Sequence, residues 1–456
     1  MNKIINFCIF AALSYSEMKR RTFSPGGIHP PQLKSTAGSR IIAVDAPVSI
    51  VLPLGQHIGR GAIPVVGKGD RVEAGQPVAV ADSDGVSAVV HTPFSGRVSA
   101  IGQKRDSRGL PVESVAIDVE PGQSVADVDR PLADVGPVGL DDVVKAASDA
   151  GIVGLGGAVF PTSFKIGGCK DHAIDTVVIN GAECEPVLTC DDAMMRVHPD
   201  EIVAGARLIK SAVGATRVVI GVELNKPEAI CRLQEVSAAH GDVSVVGLQT
   251  KYPQGGERQL VQAVTGRYIV QGCLPMTVGV VVQNVSTARA LYRAVAFGEP
   301  LVNRIVTVAG EAIGRPGNYL VPIGMSVAEL LGQAGADLDR IDKLVAGGPM
   351  MGRVIEYIDG PVTKSMSAVL ALSGNDAFRR RVEPCVRCGR CVDVCPNVLE
   401  PYLIATYGRL GRVDDAAEAG ALMCMECGSC SYVCPSSRPI TDMIRVAKYL
   451  IRKSRK

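Results

Sequence analysis

Two cysteine runs with the same spacing constrain this chain more than any other feature. Three thiolates at three-residue steps wrap three corners of a 4Fe-4S cube, and a fourth cysteine before proline ligates the other cube in two-cluster ferredoxins. Both runs end in Cys-Pro, at Pro396 and Pro435. We therefore predict two clusters: cluster 1 on Cys385, Cys388, Cys391 and Cys434, and cluster 2 on Cys395, Cys424, Cys427 and Cys430.

The alternative is a pair of four-cysteine zinc sites. Such sites take two Cys-x-x-Cys pairs each, from separated segments. Four ligands in one run that ends in Cys-Pro favour the clusters instead. Because the predicted ligand sets overlap, the two clusters must lie close together, and protein thiolates occupy every iron corner. This arrangement indicates one-electron relays rather than chemistry on a bound substrate.

Composition narrows the class of protein further. Of 14 cysteines, eight lie in the two runs, which favours metal ligation in a reducing compartment over disulfides. A net charge of +2 and the lack of tryptophan argue against a nucleic-acid partner. Residues 1–13 resemble a short signal sequence, but export conflicts with eight thiolate ligands, so we expect translation to start at Met18. No other stretch has the length of apolar sequence that a membrane span needs.

The chain is too long for one domain, and its patterns predict a multidomain fold of α/β and α+β type. After an N-terminal extension (1–23) we expect a barrel-sandwich β module (24–125) and a parallel-sheet α/β domain (136–300). A β-grasp module of the SLBB type (301–370) and a two-cluster ferredoxin-like α domain (375–456) follow.

The first module is similar to the barrel-sandwich fold of biotinyl and lipoyl carriers, in the phrases 67–78 and 92–98. The modifiable lysine is missing from the expected hairpin tip, Ser83 to Ala88. We therefore expect a structural module rather than a swinging arm. The SLBB-like segment is likewise expected to be a structural spacer.

Between 138 and 300, helical patterns alternate with short buried strands, which predicts βαβ units on a parallel sheet. Ligands of such sheets bind beyond the carboxyl ends of the strands. A glycine-rich loop, Gly151 to Lys165, offers backbone N–H groups and a lysine that suit a phosphate. Alone it is also consistent with a plain tight turn, because it follows a predicted helix and Val159 replaces the third small residue of the dinucleotide fingerprint.

Three further segments, 180–186, 252–258 and 284–287, join this loop in a pattern that resembles the FMN-binding subunit of respiratory complex I. The resemblance implies no catalytic acid, base or nucleophile, because the flavin carries the chemistry; Cys184 and Cys190 are expected to be bystanders. Leu155 stands where that family has arginine. The implied flavin contacts are Gly154, Gly156, Gly157, Ala158, Lys165, Asn180, Glu183, Tyr252, Gly256, Glu257, Asn284 and Thr287, with Phe160 and Glu185 facing the nicotinamide nucleotide.

The order of the parts resembles the RnfC (RsxC) family, the C subunits of the Rnf (Rsx) ion-translocating electron-transport complex. Phrases that carry the resemblance are 26–31, 252–266, 347–352 and 361–364. It implies a peripheral protein on the cytoplasmic face of the bacterial inner membrane, with integral membrane subunits and a ferredoxin-like subunit as partners. Electrons would pass between NADH and ferredoxin-like carriers, coupled to Na⁺ or H⁺ movement. The basic ending, 445–456, is expected to be a solvated helix rather than a lipid contact.

Two alternatives remain at this point. One is a soluble flavin and iron–sulfur reductase built from related parts, such as the cobalamin reductase of propanediol-using microcompartments. The other is a carrier or scaffold subunit whose flavin pocket is empty, an idea that Leu155 favours.

Overall fold

The computed structural model describes residues 21–125, 130–136, 138–374, 377 and 380–455. The signal-like segment and Met18 lie outside these residues. The described chain is a mixed α/β multidomain protein with one parallel sheet, one larger mixed sheet, two small antiparallel sheets and a helical segment that carries the cysteine runs. Among the described helices, none combines the length and the apolar character that crossing a membrane would take.

Residues 21–39, here the N-terminal strap, lie along the α/β domain rather than in the barrel module. Arg21 pairs with Leu248 and Ile28 with Tyr252 as isolated β-bridges. The strap is followed by β1 (Ile41–Ala43), which pairs in parallel with a strand of the β-grasp sheet. The range predicted for the barrel module, 24–125, therefore includes residues that pack against two other modules, and the strands of the barrel itself begin at Ser49.

The barrel module consists of two antiparallel sheets, with strand orders β2-β8-β7-β4 and β3-β5-β6. Alternate residues of its strands, such as Ile50 and Leu52, are fully buried. At the hairpin tip, Arg60 Nε donates to Asp82 at 2.6 Å, so the tip is held against a neighbouring loop. The strands are β2 (Ser49–Pro53), β3 (Ile63–Pro64), β4 (Arg71–Val72), β5 (Pro77–Val80), β6 (Val90–His91), β7 (Gly96–Arg105) and β8 (Pro111–Val119).

The α/β domain has the predicted alternation of helices and strands. Its elements are α1 (Leu140–Asp149), α2 (Thr162–Gly167), β9 (Thr176–Gly181), α3 (Cys190–Val197), α4 (Pro199–Ala212), β10 (Arg217–Glu223), α5 (Pro227–Ser237), β11 (Val243–Leu248), α6 (Glu257–Thr265), β12 (Val280–Asn284) and α7 (Val285–Phe297). All four strands are parallel, in the order β11-β10-β9-β12. From β9 the chain runs to β10 and β11 on one side of the sheet and then to β12 on the other side of β9. The topological switch point therefore lies between β9 and β12, where ligands of such sheets bind.

The β-grasp module contributes five strands and a helix: β13 (Asn303–Gly310), β14 (Gly317–Pro322), α8 (Val327–Gln333), β15 (Lys343–Ala346), β16 (Arg353–Ile355) and β17 (Ala368–Leu372). With β1 they form a six-stranded sheet of order β1-β14-β13-β17-β15-β16. Helix α8 begins with a capping box between Ser326 and Glu329, which satisfies its first free backbone N–H groups.

The cysteine-rich segment repeats its backbone course. Equivalent positions of the two runs have positive φ, 55° at Arg387 and 60° at Glu426, then 78° at Gly389 and 81° at Gly428. The helices are α9 (Arg390–Asp393), α10 (Pro401–Leu410), α11 (Val413–Glu418), α12 (Ser429–Tyr432) and α13 (Ile440–Ser454). Helix α13 was expected to be solvated, but Arg445 and Lys448 both form ion pairs with Glu426, so two of its cations hold the second cysteine loop.

Candidate electron-transfer site

The predicted flavin residues gather at the carboxyl edge of the parallel sheet. Asn180 and Asn284 are register partners at the ends of β9 and β12, on either side of the switch point. The Asn180 Nδ2 donates to the Gly255 carbonyl at 2.8 Å, and its Oδ1 accepts from the Ala182 N–H at 3.1 Å. The loops that follow β9 and β11 are thereby fixed to each other.

The glycine-rich loop packs against the other side of this edge. The Leu155 N–H donates to Thr287 Oγ1 at 2.9 Å, and a Cβ placed on Gly156 would lie 3.4 Å from the Asn284 Cβ. The Leu155 side chain is 6% exposed and belongs to the main hydrophobic core. The residue that replaces the family's arginine therefore serves packing, and only its backbone faces the site.

Three consecutive N–H groups of this loop are available to a ligand. Gly156, Gly157 and Ala158 are exposed, and their N–H groups have no acceptor among the described residues. The turn closes through the Gly154 N–H, which donates to the Phe160 carbonyl at 2.9 Å. Free N–H groups in such a turn form a concave site that suits an anion, so the loop fits a phosphate group.

Lys165 lies at the mouth of the same region. Its Nζ forms a 2.7 Å ion pair with Glu257 Oε1, and both side chains are partly exposed. The pair joins α2 to the first turn of α6. A lysine ammonium on a loop that also carries unpaired N–H groups suits an anionic group.

Glu183 and Asp191 form a pair of carboxylates behind the edge. The Glu183 carboxylate accepts from the N–H groups of Asp191 at 2.7 Å and Asp192 at 3.3 Å, at the start of α3. Asp191 in turn accepts from Asn284 Nδ2 at 2.7 Å and Ser286 Oγ at 2.9 Å. Burial, and then the charge of Glu183, raise the pKa of Asp191 to about 6. The sequence analysis missed Asp191, although acidic residues at a helix start are a recognisable signal.

Two lysines that were not predicted from the sequence, one half-buried and one buried, hold the loop after β9. Lys34 Nζ, on the N-terminal strap, donates to the carbonyls of Glu183, Glu185 and Leu188. Lys226 Nζ donates to the Ala182 carbonyl at 2.7 Å. Burial, and then the charge of Lys226, lower the pKa of Lys34. The loop is thus fixed by cations from two distant segments.

Glu185 and Tyr252 contact neighbouring modules through their side chains. The Glu185 carboxylate accepts from the N–H groups of Met350 at 3.1 Å and Met351 at 2.9 Å, in a loop of the β-grasp module. Burial raises the pKa of Glu185 to about 7. Tyr252 is 1% exposed, and its hydroxyl donates to the Cys427 carbonyl at 2.7 Å. Both side chains therefore face the junction with neighbouring modules, because the strap bridge at Ile28 and the β-grasp loop pack there.

A third lysine, Lys364, lies where three modules meet. Its Nζ donates to the Gly151 carbonyl at 2.7 Å, at the start of the glycine-rich loop, and to the Val89 carbonyl of the barrel module at 3.1 Å. Lys364 is fully buried, and burial lowers its pKa to about 7. A neutral amine has two N–H groups, which matches these two acceptors.

The four thiols predicted for cluster 2 line one cavity. Burial raises the pKa of Cys424 to about 11 and of Cys430 to about 12. Among the neighbouring charges that raise the pKa of Cys430 further are those of Cys427 and Cys395. Cys395, from the first run, therefore lies among the thiols of the second run, as the crossed assignment requires.

The thiols predicted for cluster 1 are grouped in the same crossed way. Burial raises the pKa of Cys391, and the neighbouring charges of Cys434 and Cys385 act in the same direction. Cys385 and Cys388 are exposed. Within the described residues, no three His, Cys, Asp or Glu side chains are placed to hold a single metal ion, whereas a cube carries its four thiolates on separate corners. The crossed grouping of thiols from the two runs fits the two predicted clusters.

The end of the first cysteine run, residues 394–396, is packed against the α/β domain and the N-terminal strap. The Gly27 N–H donates to the Val394 carbonyl at 2.9 Å, and a Cβ on Gly26 would lie 2.7 Å from the backbone of Cys395. Gln259 on α6 donates to the Pro396 carbonyl at 3.3 Å. Position 26 therefore requires glycine, because two backbones approach each other closely there.

The fold and the site define a modular flavin and iron–sulfur electron-transfer protein. Four family models match consecutive parts of the chain: the RnfC barrel sandwich hybrid domain at 22–122, the Nuo51 FMN-binding domain at 147–293, the SLBB domain at 305–354 and the 4Fe-4S dicluster domain at 377–435. The chain belongs to the RnfC family, the C subunits of ion-translocating oxidoreductase complexes.

Two relatives illustrate that membership. The C subunit of the ion-translocating oxidoreductase complex of Rhodobacter capsulatus is 40% identical over 427 residues, which cover 93% of this chain and 82% of the relative. The C subunit of the Na⁺-translocating ferredoxin:NAD⁺ oxidoreductase complex of Acetobacterium woodii is 40% identical over 432 residues, which cover 94% of this chain and 97% of the relative.

A third relative has a different coupling ion in its name. It is the C subunit of the proton-translocating ferredoxin:NAD⁺ oxidoreductase complex of Clostridium ljungdahlii, 38% identical over 395 residues, 86% of each chain. Among solved structures, an NAD⁺-reducing NiFe hydrogenase in the air-oxidized state has a TM-score of 0.50 at 19% identity, over 69% of this chain and 66% of that chain. That likeness concerns the fold alone.

Proposed function

We propose that this chain is the electron-input subunit of a membrane-bound complex that couples electron transfer between NADH and ferredoxin-like carriers to ion translocation. It is a peripheral protein on the cytoplasmic face of the bacterial inner membrane, and its partners are integral membrane subunits and a ferredoxin-like subunit. Relatives of this family include members of both Na⁺- and proton-translocating complexes, so the family accommodates either ion.

FMN, when bound, exchanges a hydride with NADH and single electrons with iron–sulfur clusters. The free N–H groups of Gly156, Gly157 and Ala158, with Lys165, hold its phosphate. Asn180 and Asn284 flank it at the switch point, and Thr287 fixes the glycine-rich loop through the Leu155 N–H. Phe160 and Glu185 are the positions that would face the nicotinamide nucleotide, and Glu257, a flavin position, forms an ion pair with Lys165.

The other implied residues position the pocket from behind. Glu183 holds the start of α3, which presents Asp191 to Asn284. Gly255 and Gly256 keep the loop after β11 close to Asn180 and to the cluster loop, because a Cβ on Gly256 would lie 2.8 Å from the Met425 side chain. Glu185 also accepts from the N–H groups of Met350 and Met351, which joins its loop to the β-grasp module.

One observation carries the proposal. The loop after β11 is hydrogen-bonded at one end to the carboxyl edge of the parallel sheet, and at the other to residues 424–434 of the second cysteine run, here the cluster 2 loop. Gly255 accepts from Asn180, and Tyr252 donates to the Cys427 carbonyl. Cluster 2, on Cys395, Cys424, Cys427 and Cys430, therefore lies next to the flavin site. Cluster 1, on Cys385, Cys388, Cys391 and Cys434, lies farther out, on the exposed side.

The two alternatives have no structural support. No contact of the described chain favours a soluble cobalamin-type reductase over a component of a membrane complex. The empty-pocket scaffold was suggested by Leu155, but that side chain is in the core and its backbone N–H is used by Thr287. Despite the substitution, the loop keeps the unpaired N–H groups of Gly156, Gly157 and Ala158 for a phosphate.

The test is an anaerobic optical titration of the full chain, reconstituted with iron, sulfide and FMN and then mixed with NADH. We expect the flavin band to bleach first and the cluster absorbance to follow. Flavin that stays oxidised with NADH but is reduced by dithionite would contradict NADH entry. Lys165→Gln should weaken FMN binding, whereas Lys170→Gln, an exposed lysine of the same domain, serves as the matched control.

A further inference from the structure

The two predicted clusters differ in their access to solvent. Cys427 and Cys430 are buried behind the α/β domain, whereas Cys385 and Cys388 are exposed. Every residue from 380 to 388 is exposed. An electron relay needs a partner close to one end, because electron tunnelling weakens steeply with distance. The exposed end is cluster 1.

The surface around Cys385 and Cys388 is strongly cationic. Residues 380–391, here the arginine face, contain Arg380, Arg381, Arg387 and Arg390 but a single carboxylate, Glu383. Arg381 forms a 3.2 Å ion pair with Glu383, yet its side chain is 90% exposed. Within the described chain, Arg387 and Arg390 have no ion-pair partner. A field of one sign on an exposed surface steers an oppositely charged partner.

Apolar side chains lie among these arginines. Val386, next to Cys385 in the sequence, is 67% exposed, and Val382, three residues before Cys385, is 48% exposed. An apolar centre with a charged rim is typical of transient protein interfaces, where the rim sets the association rate. The centre of this surface is formed by the cluster ligands themselves.

We propose that the arginine face is the docking site for an acidic one-electron protein carrier, which exchanges electrons with cluster 1. This inference rests on the proposed function only in taking cluster 1 as a relay. One electron passes between cluster 1 and the redox centre of the carrier. One of these two centres is oxidised and the other reduced, and no atom or proton is transferred. Anionic lipid also matches the charge, but lipid accepts no electron, and the exposed thiols lie at the centre of the face.

The test measures electron exchange between the reconstituted full chain and a purified acidic two-cluster bacterial ferredoxin by anaerobic stopped flow. The variant is Arg380→Glu/Arg381→Glu. Both substituted residues precede the cluster ligands in the sequence, and Arg387 and Arg390 stay in place. We expect the second-order rate constant at low salt to fall at least tenfold, and its dependence on ionic strength to flatten. Arg452→Glu/Lys453→Glu, exposed on α13, makes the same change in net charge and should match the unaltered chain.

Cluster content, measured by iron analysis and electron paramagnetic resonance, shows whether the variant still holds both clusters. With clusters retained, an unchanged rate constant, or an equal fall in the α13 control, would overturn the proposal. Binding to vesicles of phosphatidylserine and phosphatidylcholine is measured in parallel. If the variant loses vesicle binding and keeps its ferredoxin rate, the face is a membrane contact and the proposal fails.

The outcome is separable from that of the proposed function. If NADH does not reduce the clusters but exchange with ferredoxin depends on Arg380 and Arg381, the docking site stands and NADH entry fails. If NADH reduces the clusters and exchange is insensitive to charge reversal, NADH entry stands and the docking site fails.

Discussion

The hydroxyl of Tyr252 donates a 2.7 Å hydrogen bond to the backbone carbonyl of Cys427, a residue more than a hundred positions later in the chain. Tyr252 lies on the loop that also reaches the flavin edge, so this bond joins the two redox regions. Ile28 of the N-terminal strap packs against both residues.

Replacing Tyr252 by phenylalanine should loosen the cluster 2 loop while leaving the packing of the ring intact. Loss of the hydroxyl leaves a buried carbonyl without this donor, at a cost of about 1–2 kcal/mol. Amide hydrogen exchange over residues 424–434 should therefore accelerate roughly 5- to 30-fold if the loop opens locally. Tyr449→Phe, at an exposed tyrosine, is the control. Equal protection in both variants would contradict the role given to the Tyr252 hydroxyl.

The crossed ligand sets predict which cluster each cysteine variant loses. Cys434→Ser should remove cluster 1 and spare cluster 2, and Cys395→Ser should do the reverse, since each fourth ligand belongs to the other run. Iron content should fall to about half in both, and paramagnetic resonance should show which cluster signal remains. Cys273→Ser, at an exposed cysteine, should retain all iron. Loss in Cys434→Ser of the signal that is assigned to cluster 2 would refute the crossing.

Thr287 should matter for FMN affinity through the glycine-rich loop. Thr287→Val removes the oxygen that accepts from the Leu155 N–H at nearly constant volume, at a cost of about 1–1.5 kcal/mol. We expect FMN binding, followed by fluorescence quenching, to weaken about tenfold. Thr287→Ser restores the hydroxyl and should recover most of the affinity. If valine and serine variants bind equally, the hydroxyl does not shape the loop.

Lys364 should give the protein a pH-dependent stability. Burial lowers its pKa from 10.5 to about 7, so between these values the folded state holds fewer protons than the unfolded state. Stability should therefore rise with pH across this window, by roughly 1 kcal/mol per pH unit from this group. Lys364→Met should remove that rise and lower stability, because two buried carbonyls lose their donor. Thermal midpoints from pH 7 to 9 provide the measurement; identical slopes would exclude this effect.

The cysteine spacing predicted the most about the site, because a cube accepts ligands only at a few separations along the chain. Asn180 and Asn284 were implied only by the family resemblance, and they come together because both end parallel strands that share one edge. Asp191 and the lysines were not predicted, because Lys34 and Lys364 find their acceptors on segments far away in sequence. The direction of the Glu185 side chain depends on how the modules pack together. The local sequence pattern carries no information about that packing.

Strand β1 has a consequence for how the molecule is assembled. Ile41 pairs with Asn318, so β1 and β14 are neighbours in one sheet. In the sequence, the whole barrel module and the α/β domain lie between these two strands. During synthesis, β1 has no partner until the β-grasp segment has left the ribosome, and closing so long a loop is slow. The two inserted domains can fold first, and the cysteine runs emerge after both of them. The order of synthesis therefore makes the scaffold before the thiols that are to receive iron.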